Sequence, residues 1–145
     1  MDIQEATTGF KSVNREDYPE LRGYSREEIY EGHVGPGGLY LAAKMARSMA
    51  LKDGDIVLDL GCGKGVTSMF VAKKFGVTVV ALDLGTSASD LNNNFSDGGY
   101  RDRIMPLNMD ITKLLPFADG YFDAVFCMNS FSFFGGSVDF LHHLL

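Results

Sequence analysis

The stretch VLDLGCGKGVTSMF, Val57 to Phe70, decides how the chain is read. An apolar run ends on an acid, three alternating glycines follow, and a helical pattern begins. Ile56-Val57-Leu58 has the continuous apolarity of a strand buried on both faces of a parallel sheet. Val66 to Phe75 predicts a helix with Val66, Met69, Phe70 and Ala72 inward, closed by Gly76 as its C-terminal cap. Thr67 and Ser68 are expected to cap its start. A glycine turn between strand and helix can hold several ligands, so its surroundings must choose.

Outward from this stretch, strands and helices alternate. Upstream, Ser25-Arg26-Glu27-Glu28 is a capping-box signature that opens a short helix to about Glu31. Gly32 to Gly38 must be a loop, with four glycines and a proline. Leu39 to Ala50 is helical by its apolar spacing, and Lys52-Asp53-Gly54-Asp55 is the turn that ends it. Downstream, Val77–Leu82 reads as a second strand and Ser87 to about Phe95 as a ragged helix. Ile104–Asn108 is a third strand that Pro106 confines to a sheet edge, because proline removes a ladder donor. Phe122–Met128 is a fourth strand, and a helix begins at Val138. Such alternation predicts an α/β fold, a doubly wound and mostly parallel sheet. Residues 1–38 form an N-terminal helical cap with a glycine-rich lid, and 39–145 the ligand-binding α/β domain.

Composition narrows the function. A chain of 145 residues, 46% apolar and 22% charged, suits one ordinary globular domain. Its net charge of −6 speaks against a partner with a phosphate backbone. Lys73-Lys74 and Arg101/Arg103, the densest cationic pairs, read as solvated faces. Cys62 and Cys127 fit reduced, buried thiols rather than a disulfide framework. Three histidines and two dispersed cysteines do not read as a metal site. MDIQEATTGF lacks the regions of a signal peptide, and no apolar run is long enough to span a bilayer. The expected setting is cytoplasmic, with neither nucleic acid nor membrane as partner.

Three ligands compete for the glycine turn. A P-loop fails, because Lys64 is followed by Gly65 and no glycine stands five positions before Gly63. A dinucleotide fingerprint is degraded, since its third glycine position is Val66. A nucleoside without phosphates is favoured by Asp59, which would repel a pyrophosphate but suits an ammonium or sulfonium group. Asp83, ending the second strand, can accept from ribose hydroxyls. Asp110, after the third strand, can accept from an adenine amine, with Leu84 and Ile111 flanking the ring. Acids at three successive strand ends describe a site for S-adenosylmethionine.

VLDLGCGKG, then VVALDL, then NMDITKLLPFADGYFDAVFC resemble the class I S-adenosylmethionine-dependent methyltransferases, in particular the branch acting on small molecules. The similarity runs from about Leu39 to Gly136. It implies that Asp59, Gly61, Cys62 and Gly63 line the methionine end of the cofactor. It also implies Asp83 at the ribose, Leu84 and Ile111 beside the adenine and Asp110 at its amine. Asn129 would stand beside the methionine moiety, and the Gly35–Tyr40 segment would form a lid from which Tyr40 or His33 touches the cofactor. Cys62 reads as packing, since no base lies near it in sequence. His33 is the base candidate for an acidic acceptor; in a glycine loop it otherwise reads as a surface turn residue. The Phe126–Phe134 run is either strand core with the following loop or the floor of a substrate pocket.

The resembled fold has seven strands, and only four are readable here. The expectation is a Rossmann-like methyltransferase fold truncated after the fourth strand, which would then be an exposed edge: the product of a partial gene, a chain that dimerises or swaps to cover the edge, or a split enzyme completed by a second chain. The function expected is methyl transfer to a small-molecule acceptor. The alternative is a non-catalytic module, or an inactive fragment, that binds S-adenosylmethionine or S-adenosylhomocysteine.

Overall fold

A computed structural model of the chain describes residues 15–30, 37–113, 115–135, 139–140 and 142. Single 3₁₀ turns at Arg15–Asp17 and Pro19–Leu21 precede helices α1 (Arg26–Tyr30) and α2 (Gly38–Ser48). Then come β1 (Ile56–Leu60), α3 (Val66–Phe75), β2 (Thr78–Asp83), α4 (Ala88–Asp97), β3 (Ile104–Asn108) and β4 (Ala124–Phe126). A 3₁₀ turn at Phe131–Phe134 follows. Among the described residues the sheet has four strands, all parallel, in the order β3-β2-β1-β4.

Local chemistry sets the boundaries. Ser25 and Glu28 form the expected reciprocal box: Ser25 N–H donates to Glu28 Oε2 at 2.6 Å and Glu28 N–H to Ser25 Oγ at 3.1 Å. Ser87 caps α4 by accepting from Asp90 N–H at 3.1 Å. Gly76 ends α3 in the left-handed region, its N–H donating to Ala72 O. At the other end of α3 the N-cap is Gly65, not Thr67 or Ser68, which lie inside the first turn and are buried. Gly65 has φ +79°, and an added Cβ there would collide with the Phe95 ring of α4. The close approach assigned to a third fingerprint glycine is thus supplied one residue early.

Both faces of the sheet are covered. Val57, Val79, Ala81, Ile104 and Phe126 face α2, α3 and α4, in one buried cluster with Phe70, Leu91 and Phe95. Leu58, Leu60, Val80 and Leu82 alternate onto the other face with Ile111 and Phe140. That double burial explains why β1 and β2 read as unbroken apolar runs. Leu21 and Ile29 join the first cluster, and Arg47 on α2 ties the preceding segment down, its guanidinium donating twice to Glu20 at 2.6 and 2.7 Å. β3 is an edge strand carrying Pro106, as expected. β4 is shorter than the predicted Phe122–Met128, because the chain turns at Met128–Ser130 with Asn129 at φ +60°. Most of the helix expected from Val138, and the loop 31–36, lie outside the described residues.

From β1 the chain moves to β2 and β3 on one side and to β4 on the other. The crevice at this reversal, above the carboxyl ends of the strands, is where open α/β sheets bind ligands.

Candidate functional site

Asp59 stands on the β1 face that carries Val57, opposite Ala81 and Phe126, so the sheet register points it toward α3. It is 2% exposed. Ser68 Oγ donates to its Oδ2 at 2.7 Å, and Oδ1 has no further partner among the described residues. Burial pushes its carboxyl up to about 6, against the lowering bond from Ser68 and with a small contribution from the Asp83 charge. Ser68 is therefore the partner of a buried acid rather than a helix cap.

Asp83 ends β2 beside the glycine turn. Its Oδ2 accepts from Gly63 N–H at 2.9 Å, and its Oδ1 from Gly85 and Thr86 N–H at 2.8 Å each. A carboxylate has about four acceptor positions, so three are taken by backbone. Leu84, the next residue, is 63% exposed. Asp110 is half-buried, its Oδ1 accepting from Thr112 N–H and Oγ1 and its Oδ2 paired with Lys113 at 3.2 Å. Those Thr112 bonds, then Lys113, hold its carboxyl below the usual range. Ile111 is buried in the second core cluster.

The loop after β4 closes the site from the other side. Asn129 takes its positive φ there, and the neighbouring Ser130 donates Oγ–H to Leu60 O at 2.6 Å. The one hydroxyl proton being spent, Cys127 Sγ–H is the donor in its 3.2 Å contact with Ser130 Oγ. Ser130 also explains Gly61, where an added Cβ would strike the Ser130 side chain.

These elements enclose a cavity of about 990 Å³. Asp59, Gly61, Cys62, Gly63, Asp83, Leu84, Asp110, Ile111 and Asn129, nine of the residues anticipated for the cofactor, all line it. Tyr40 does not: it is buried in α2, edge-on to Tyr18 with ring centroids 5.3 Å apart. His33 lies outside the described residues. Burial pushes the Cys62 thiol up, with Asp59 and Asp83 adding to it, so it stays protonated and non-nucleophilic. Sequence reasoning missed Lys64, Thr67, Thr86 and Thr112 in the lining, whereas Ser130, Phe133 and Phe134 belong to the run it offered as a pocket floor. Phe133 is 79% exposed, whereas Phe126 is wholly buried, so the aromatic run divides between cavity wall and core.

The lining suits a cationic, phosphate-free guest. Three aspartates face it against one cation, Lys64, among the described residues. A side chain at Gly63 would meet nothing within 4 Å, so the missing Cβ leaves room there for a ligand. Asp59 Oδ1 is a buried acceptor without a donor among the described residues, and Leu84 offers an apolar surface for a ring. The residues present fit S-adenosylmethionine.

The family described as "Methyltransferase domain" matches residues 57–144, and the chain belongs to it. S-adenosylmethionine-dependent methyltransferases, the class the motifs resemble, are borne out by this membership. Among curated relatives, phosphoethanolamine N-methyltransferase 1 of Arabidopsis thaliana is 42% identical over 57 residues, which is 39% of this chain and 12% of that protein. Among solved structures, YjhP of E. coli superposes with a TM-score of 0.64 at 22% identity, over 82% of this chain and 47% of that one. A Geobacter sulfurreducens S-adenosylmethionine-dependent methyltransferase in complex with S-adenosyl-L-homocysteine gives 0.62 at 20% identity, over 81% and 47%. The two structures share the fold. The chain spans about half the length of each and a smaller part of the plant enzyme.

Proposed function

We propose that the cavity binds S-adenosylmethionine and serves methyl transfer to a small-molecule acceptor. The observation that carries this reading is Asp59, a buried carboxylate with one oxygen unpartnered among the described residues, in an acid-lined crevice. The plant relative, named for phosphoethanolamine, supports a small acceptor. When bound, the cofactor supplies an electrophilic methyl group on a sulfonium.

The chain's residues bind and orient. Asp59, with Gly61 and Gly63, would hold the cationic amino-acid end, the attraction strengthened by the low local dielectric. Asp83 would accept from the ribose through its one remaining position, while Leu84 and Ile111 flank the adenine. Asp110 would take the adenine amine and Asn129 would stand at the methionine end. Cys62 packs the floor of the turn. The largely apolar Met128–Phe134 wall limits water near the reacting centre, which favours a step that consumes charge. No histidine lines the cavity among the described residues. A neutral amine acceptor needs no protein base for its attack; an acidic acceptor would call on His33 as general base.

The outer side of β4 pairs with no strand among the described residues, an edge open to further strands of the fold, to a second copy or to a second chain. The functional test is release of S-adenosylhomocysteine over a panel of amines, phenols and thiols. Asp83→Ala is expected to weaken S-adenosylhomocysteine binding by about 1–3 kcal/mol, the loss of its hydrogen bond to the ribose. Unchanged affinity would remove Asp83 from the ribose.

A further inference from the structure

We propose that Asn108 is a positioning residue for the nucleoside, acting through the Leu84–Thr86 loop. The inference rests on the proposed function and deepens it. Asn108 closes β3 in register with Asp83. Its Nδ2 stands 3.0, 2.9 and 3.0 Å from the carbonyl oxygens of Asp83, Leu84 and Thr86. An amide nitrogen has two hydrogens, so three carbonyls share them in a bifurcated arrangement. From the opposite side the Asp83 carboxylate gathers the N–H groups of Gly85 and Thr86. The loop is gripped at its carbonyls by a donor from β3 and at its amides by an acceptor from β2.

Between the two grips Leu84 is left 63% exposed at the cavity. An apolar side chain so exposed gains little for the fold from its position. On a doubly pinned backbone it is a fixed shelf, and a ring settling on it does not have to order the loop first. Asn108 does not itself line the cavity, so its effect passes through the loop. The same Asp83 oxygen pair also ties the loop to Gly63, placing shelf and glycine turn in one rigid frame.

The test uses the full chain with Asn108→Ala and Asn108→Asp, titrated with S-adenosylhomocysteine and with adenosine, alongside thermal denaturation. Both ligands are expected to lose about tenfold in affinity, by the same factor, since they share the nucleoside. Asn108→Asp loses more, because a carboxylate would face three carbonyls. Asn108→Ser, which keeps a short donor, gives an intermediate loss and serves if the aspartate variant does not fold. A lower melting temperature with unchanged affinities would overturn the proposal, as would a loss for S-adenosylhomocysteine that adenosine does not share. If the wild-type chain binds neither ligand, the proposed function itself is overturned, which is seen before any variant is compared.

Discussion

Asp59→Asn separates folding from binding. Shifting a carboxyl from its ordinary 3.8 to about 6 on burial corresponds to a folding penalty on the order of 3 kcal/mol once the group is ionised. The sign follows from proton counting. The folded state holds the proton more tightly than the unfolded state, so stability falls as pH rises between these two values and is flat outside them. Asparagine keeps an oxygen for Ser68 and carries no charge. The variant should exceed wild type in urea-denaturation stability by ~3 kcal/mol at pH 7.5 and by only ~1 kcal/mol at pH 4.5. Its affinity for S-adenosylmethionine should fall at pH 7.5, where the lost carboxylate would have faced a cation. Wild-type affinity should itself decline below pH about 6, while that of adenosine, which lacks the ammonium, stays level. A variant less stable than wild type at pH 7.5, or equally affected at both pH values, would refute the burial argument.

Gly65→Ala forces a side chain into a left-handed position against Phe95, and should cost about 2–4 kcal/mol in denaturant unfolding. Leu84→Ala removes an exposed side chain, so stability should hold within about 0.5 kcal/mol while adenosine affinity drops by roughly fivefold. Ser130→Ala strips the Leu60 carbonyl of its donor and should lower stability by about 1–3 kcal/mol, measured by thermal or urea unfolding.

The framework was legible because burial on both sheet faces writes itself as apolar runs, and because Ser25-Arg26-Glu27-Glu28 and Gly76 carry their own stop and start chemistry. Asp59, Asp83 and Asp110 were legible as strand-end acids, a position set by the α/β repeat itself. Their partners were not. Ser68 meets Asp59 across a strand–helix contact nine residues apart, and Ser130 reaches Leu60 across seventy. Spacing along a chain holds no record of such bonds. The resemblance of Gly35–Tyr40 to a lid implies Tyr40 at the ligand, but its position in α2 turns the ring into the core beside Tyr18. Asn108 looked like the end of a strand, because one amide serving three carbonyls appears only once β2 and β3 are in register.

Calorimetric titration of the chain at pH 7.5 with S-adenosylmethionine and, separately, with NAD is the decisive comparison. An aspartate-lined crevice predicts saturable one-to-one binding of the sulfonium nucleoside and none of the pyrophosphate. Tighter binding of NAD would contradict the account.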